Sequence, residues 1–309
     1  MGSYFEVRVG AATPGAAELA GRALDLVDEL EARLTVYRDD SEISTLNATA
    51  HLGPVRLKPD VFGLIEQGVE ISRRTGGAYD LTSGALSIAW GFFKGPKRIP
   101  GDDELADARN RTGYRHVSLD PSNQTAAFDR PGVTINLGSI GKGFAIDRAV
   151  DVIRAHWWPT SALIHGGRSS LYALGSPPGR FGDRWKVAVR NPFRADRPLG
   201  VLNLRNRGMG TSGTDFQKFE SDGRVFGHIL DPRTGEPAFG PAAVTVLAPT
   251  AAEADALSTA FYLLGLEASA EYVKGHPGVA AVFVEEGRAD ASPRTTLLGL
   301  DPPDFDADV

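Results

Sequence analysis

Apolar and polar positions alternate from Tyr4 to Val9, with Phe5, Val7 and Val9 on one face, which predicts a strand. The period then changes. Pro14-Gly15 opens a helix to about Leu34, whose apolar stripe is Leu19, Ala23, Val27, Leu30 and Leu34. Val36 to Asn47 is polar and turn-rich and reads as irregular. Pro59 stands in the first turn of a second helix, where its missing N–H costs little. Val61, Leu64, Ile65 and Gly68 form that helix's face, and Gly76-Gly77 ends it. In Tyr79 to Phe92, Asp80, Thr82 and Trp90 look like a polar turn entering an aromatic wall, although core packing also accounts for the tryptophan. Lys94 to Asp103 reads as a loop rich in proline, glycine and charge.

Thr134 to Asp147 organises the second half. It begins as a short alternating run that reads as a strand, passes into a glycine-rich turn, and ends in a helix from Gly141 to about Ala155, where Ala145, Ala149 and Val152 recur at helical spacing. Ala162–Ile164 and Leu171–Leu174 predict strands around His165-Gly-Gly-Arg168, and Trp185 to Thr211 predicts several short antiparallel strands. Ala243–Leu247 is a buried-type strand, Ala251 to Leu264 a helix and Val279–Val284 a last strand. From Glu286 onward the chain is an Asp- and Pro-rich, acidic tail with an apolar island at Leu297–Leu300 and a loose end, so residues 1–285 are expected to form the folded domain. Short strands with segregated helices, rather than regular βαβ alternation, give an α+β class with mainly antiparallel sheets and packed helices.

Composition narrows the function. A chain of 309 residues can form one large domain or two lobes. A net charge of −6 with no basic block argues against nucleic acid as a partner. The absence of cysteine excludes disulfides, thiolate metal sites and thiol catalysis. The first residues lack an apolar signal core, and no run reaches the roughly 20 apolar residues of a membrane span. The expectation is a cytoplasmic protein as sequenced, or an exported one if a leader has been removed.

The glycine turn presents backbone N–H groups and a helix N-terminus to an anion, and Lys142 adds a positive charge; a tight turn with a solvated lysine is the alternative. It is not a Walker A loop, because Gly138 and Gly141 are too close and Gly143 follows the lysine. It is not a dinucleotide fingerprint either, since Gly138, Gly141 and Gly143 carry the gaps in reverse order. Asp255 and Thr259 are spaced i, i+4 and share a helix face. A carboxylate and a hydroxyl so placed suit Mg²⁺, which takes few protein oxygens and completes its shell with phosphate and water. An Asp favouring the helix dipole and a Thr bonding back to a carbonyl would give the same spacing. His228, before Asp231-Pro232, is either a proton carrier near neutral pH or a hydrogen-bonded structural histidine.

Taken in order, Ser41-Glu-Ile-Ser-Thr-Leu-Asn47, Tyr79-Asp-Leu-Thr82 with Trp90-Gly-Phe92, Leu137-Gly-Ser-Ile-Gly-Lys-Gly143 with Asp147, Gly166-Gly167, Thr211-Ser-Gly213, His228-Ile-Leu-Asp-Pro232 and Ala254-Asp-Ala-Leu-Ser-Thr-Ala260 are much more specific than any one of them. The series resembles the ApbE family of FAD:protein FMN transferases, from an opening Met1-Gly-Ser3 to about Val284. The resemblance implies a two-lobed ApbE-like architecture. It implies an enzyme that uses Mg²⁺ and FAD, transfers the FMN half through a phosphoester to a Thr or Ser hydroxyl of an acceptor protein, and releases AMP. An FAD pyrophosphatase and a non-catalytic FAD-binding protein are the alternatives.

By the same resemblance, Asp255 and Thr259 with the main-chain carbonyl of Ser139 would hold the metal. Asn47, Tyr79, Asp80, Gly138, Ser139, Lys142, Gly167, Thr211, Ser212 and Gly213 would bind FAD. His228 would transfer the proton, with Asp231 in reserve. Two positions depart from the family pattern. Asn136 stands where an Asp is often found, which removes a negative charge near the metal. Arg168 stands where Asn or an acid is common, and brings a guanidinium suited to phosphate.

Overall fold

The structure is a computed structural model that describes residues 3–10, 14–93, 95–156, 161–180, 182–194, 196–213, 218–221, 223–287 and 293–307. In chain order the first elements are β1 (Phe5–Val9), α1 (Ala16–Leu34), α2 (Glu42–Thr49), β2 (Val55–Arg56), α3 (Pro59–Arg74), α4 (Gly84–Ala89), α5 (Asp102–Asn110), β3 (Val117–Asp120) and β4 (Thr125–Phe128). Next come α6 (Gly141–His156), β5 (Ala162–Gly166), β6 (Ser170–Leu174), β7 (Trp185–Val189), β8 (Gly200–Leu204), β9 (Arg207–Gly213), β10 (Lys218–Ser221) and β11 (Arg224–Gly227). The chain continues through β12 (Ala243–Ala248), α7 (Ala251–Gly275), β13 (Ala280–Glu286), β14 (Pro293–Leu298) and β15 (Phe305–Asp306). The α+β class holds, with antiparallel strand pairing throughout the sheets. The chain divides into two compact units: Met1–Glu31, Ile140–Gly213 and Pro241–Val309 form one, and Ala32–Ser139 with Thr214–Gly240 the other.

The first unit is built on a seven-stranded sheet in the order β1-β5-β6-β9-β12-β13-β14. Helix α6 packs on β5 and β6, and α7 on β9 and β12. Side chains alternate across a strand, so the residues that face away from these helices form a second apolar layer. Leu163, Leu171, Met209, Leu247 and Val282 pack there with Val189, Leu202 and Leu204 of the small β15-β8-β7 sheet. Helix α7 approaches its neighbours backbone to backbone. A Cβ on Gly143 would run into Ala251, and one on Gly210 into the Ala254 carbonyl. Glycine at these two positions is therefore a packing requirement. Gly265 (φ 75°) kinks α7 one residue past the predicted end of the helix, and a second helical stretch runs on to Gly275.

In the second unit, the end of α1 is tied to α2 and α3 by Arg33. Its guanidinium donates to both Asp60 oxygens at 2.8 and 2.6 Å and to Glu42 at 3.2 Å. The β2-β4-β3 sheet and the β10-β11 hairpin complete this unit. One of its cores gathers Leu86, Ala89, Trp90, Ala108, Phe226 and Leu230, so Trp90 is a core residue.

Four expectations are corrected. The polar segment before Asn47 contains α2, capped by the Ser41 hydroxyl, which accepts from the Ser44 N–H. Helix α5 was missed because only Ala108 of it is buried, which leaves almost no apolar period to read. The run before the glycine turn is not a strand: Thr134 makes only an isolated parallel bridge with Ser83. The described part of the acidic tail is not loose, because β14 extends the main sheet beside β13 and β15 pairs with β8, while residues 308–309 at its end lie outside the described residues. Lys94 and the Met1-Gly2 opening lie outside the described residues. Among the described residues, no helix is long and apolar enough to cross a membrane.

Candidate functional site

In the first unit, α6 begins at Gly141, so Lys142 and Gly143 lie in its first turn. Asp255, one turn into α7, is 5% exposed. Its Oδ2 accepts the Gly143 N–H at 2.8 Å and its Oδ1 the Ser170 hydroxyl at 2.6 Å. Burial pushes the Asp255 carboxyl above its ordinary range, while the charge of Lys142 and these two donors pull it down. The glycine turn, the sheet and α7 therefore meet at one carboxylate.

Thr259, one turn further along α7, is half-buried. Its Oγ1 lies 3.3 Å from Ser212 Oγ, which is 2.8 Å from Ser258 Oγ. Ser258 donates its only hydroxyl proton to the Asp255 carbonyl at 2.8 Å. Ser212 must then donate to Ser258, and Thr259 to Ser212. Thr259 keeps its lone pairs for another partner. Thr211 hydrogen-bonds the Thr245 hydroxyl at 3.0 Å, and its N–H donates to Ser169 at 2.7 Å. Gly213 closes β9 opposite Ala243. Gly167 (φ 63°) donates its N–H to Tyr4 at 2.7 Å, in the turn that leaves Arg168 exposed.

Asp147, quoted in the sequence motif without a role, caps α7 from a neighbouring helix. Its two oxygens accept the Ala251 and Ala252 N–H groups at 2.8 and 2.9 Å. Two such bonds answer the unpaired donors of a helix N-terminus. Burial is nevertheless the largest influence, and the carboxyl is pushed up from 3.8 to about 7. Between about pH 4 and 7 the folded protein thus holds a proton that the unfolded chain releases, so this group's contribution to stability falls as pH rises. Chemical denaturation across that range should show a slope approaching about 1.4 kcal/mol per pH unit from this one group. Asp147→Asn should flatten it; equal slopes in the two proteins would refute the assignment.

In the second unit, Asn47 clamps the segment that leads into the glycine turn. Its amide donates to the Ile135 carbonyl at 2.9 Å and accepts the Ile135 N–H at 2.8 Å. Asn136 ties down the start of the same turn, because its Oδ1 accepts the Gly138 N–H at 2.9 Å. Gly138 is exposed and Ser139 half-buried. Tyr79 is buried at 1% exposure. Asp80 accepts the Thr82 N–H and hydroxyl at 2.9 and 2.6 Å and the Tyr114 N–H at 2.7 Å, and so organises its own turn. Burial shifts the Asp80 carboxyl upward.

His228 follows β11, half-buried, with its ring edge-on to Phe92 at 6.5 Å. Asp231 is paired bidentately with Arg233 at 2.9 and 2.7 Å, and its carbonyl accepts the Gly235 N–H at 2.7 Å. The Trp90 indole donates to the Gly235 carbonyl at 2.8 Å, anchoring the same turn. Sequence reasoning missed Ser170 as the partner of Asp255, Ser258 as the partner of Ser212 and Thr245 as the partner of Thr211. Nothing local marks them, because their partners are 85 residues away in the case of Ser170 and 46 in the case of Ser258.

In this α+β protein a helix-borne carboxylate is thus hydrogen-bonded to the first turn of α6 and lies within the field of Lys142. The chain belongs to the ApbE family, whose family model matches residues 1–283. It is 32% identical over 302 residues to the FAD:protein FMN transferase of Treponema pallidum, covering 92% of this chain and 82% of that protein. The crystal structure of the ApbE protein of Thermotoga maritima superposes with a TM-score of 0.84 at 28% identity, covering 96% of this chain and 94% of that one. The apo flavinyl transferase ApbE of Pseudomonas stutzeri gives a TM-score of 0.82 at 30% identity, covering 97% and 95%.

Proposed function

We propose that this chain is an FAD:protein FMN transferase that uses Mg²⁺. The FMN phosphate forms a phosphoester with a Thr or Ser hydroxyl of an acceptor protein, the pyrophosphate P–O bond breaks, and AMP leaves. The hydroxyl proton passes to His228. The observation that carries the reading is Asp255, held between the Gly143 N–H and the Ser170 hydroxyl beside Lys142. A relative matched over 82% of its length and a solved structure matched over 95% of its chain both bear a transferase name.

The donor set fits a hard cation. Asp255 offers a carboxylate with one donor on each oxygen, which leaves a lone pair on each. Thr259 offers a hydroxyl whose proton is directed to Ser212. Among the described residues no three His, Cys, Asp or Glu side chains gather as a metal cage. Mg²⁺ is suited to such a sparse set, because it keeps waters and takes substrate phosphate oxygens. When bound, it would neutralise charge on the phosphates. Lys142 and the N–H groups of the glycine turn would orient the pyrophosphate, and positioning of this kind is most of what such a transfer requires.

Lys142→Ala should weaken FAD binding by about 1–3 kcal/mol, the worth of a hydrogen bond to a charged group. Titration by flavin fluorescence checks it, and unchanged affinity would return Lys142 to a solvated turn residue. The activity itself is tested on a gel of the protein with FAD, Mg²⁺ and an acceptor, viewed by flavin fluorescence. A labelled acceptor band with AMP release supports transfer. AMP release with no band under any acceptor would mean hydrolysis, and neither product would leave a flavin-binding protein.

A further inference from the structure

We infer that Ser170 is a positioning residue for the cation site, setting the orientation in which Asp255 meets a divalent ion. The inference rests on the proposed metal site and adds to it a residue on a different element. Ser170 opens β6, is 2% exposed, and donates to Asp255 Oδ1 at 2.6 Å. The other oxygen is held by the Gly143 N–H at 2.8 Å. A carboxylate with one donor on each oxygen cannot turn about its Cβ–Cγ bond without breaking both bonds. The plane of the group, and with it the direction of its remaining lone pairs, is therefore set before an ion arrives.

The strand register explains why a serine does this. Ser170 is paired with Gly210 on β9. Gly210 has no side chain, and a Cβ there would collide with the Ala254 carbonyl of α7. The missing side chain lets the helix backbone down onto β9, close enough for a short hydroxyl on the adjacent strand to reach Asp255. A longer polar side chain at position 170 would have to displace α7. Two positions along β9, Ser212 accepts the Thr259 hydroxyl. The strand pair thus supplies a hydroxyl beneath each of the two α7 residues assigned to the ion. Partners behind metal ligands typically change metal affinity by about 10–100-fold when removed.

The test is titration of Mn²⁺ as a paramagnetic probe, with excess FAD and no acceptor, on wild type, Ser170→Ala, Ser170→Thr and Asp255→Ala. Thermal midpoints are measured on the same samples. Ser170→Ala is expected to weaken Mn²⁺ binding by about 10–100-fold, with Ser170→Thr, which keeps the hydroxyl, recovering most of it. Turnover of Ser170→Ala should return toward the wild-type value at high Mg²⁺, because the defect is in affinity. Unchanged Mn²⁺ affinity in folded Ser170→Ala, whether or not its midpoint drops, would overturn the inference while leaving the metal reading intact. Identical titrations of wild type and Asp255→Ala would overturn the metal reading, and the inference with it. The alanine variant decides the matter even if the added methyl of threonine prevents folding.

Discussion

Asp255→Ala should lower Mg²⁺-dependent AMP release from FAD by about 10³-fold or more, since charge stabilisation of this type supplies several kcal/mol of barrier lowering. Asp255 is the only charged oxygen donor in the proposed set. The substitution also leaves the Gly143 N–H and the Ser170 hydroxyl without their acceptor in a buried site. Each unmet donor costs about 1–3 kcal/mol, so stability must be measured beside activity. Asp255→Asn separates the effects: it keeps an acceptor oxygen and nearly the same volume but removes the charge. Both variants should lose activity, and the asparagine variant should lose less stability. Near-normal turnover of folded Asp255→Ala at low Mg²⁺ would show that the ion is held elsewhere.

His228→Ala should slow flavin transfer while FAD binding stays close to wild type. A hydroxyl is a poor nucleophile at neutral pH, and help from a positioned base is worth about 10²–10⁴-fold. A loose phosphoryl-type transition state requires little early deprotonation, which places the expected loss nearer 10²-fold. The geometry distinguishes the two residues of this turn. Asp231 is occupied by a bidentate pair with Arg233, whose guanidinium is made harder to deprotonate by that contact. Asp231→Asn is thus expected to loosen the turn rather than to remove the base. Single-turnover transfer at saturating FAD, with binding measured separately, decides the role of His228. Loss of binding in proportion to rate would make His228 a wall of the pocket.

The local pattern determined a good deal about this chain. A helix or strand is selected within one or two turns of sequence, so the periods marked α1, α3, α6 and the first stretch of α7, alternation marked β1, and short apolar runs marked β5, β6, β12 and β13. The i, i+4 pair Asp255 and Thr259 was legible for the same reason, because helical geometry alone places them on one face. Local signals for α2 and α5 were present but weak. Ser41 before a short helix is a cap, and Asp102, Asp103 and Glu104 at the start of α5 with Arg109 at its end suit the helix dipole.

What only the tertiary structure decided is which distant groups share a hydrogen bond. Asn47 reaches Ile135 across 88 residues, Asp147 reaches Ala251 across 104, and Gly143 reaches Asp255 across 112. The tail strands belong to this class as well. An acidic, proline-bearing segment has little to hold it alone, and β14 exists because β13 offers it an unpaired edge. Sequence periodicity records which face of an element is apolar; it carries no record of the strand order β1-β5-β6-β9-β12, which brings Ser170 and Gly210 side by side beneath α7. That Asp255 and Thr259 share one helix face was thus readable from the chain, while the bonds that orient them came from α6 and the sheet.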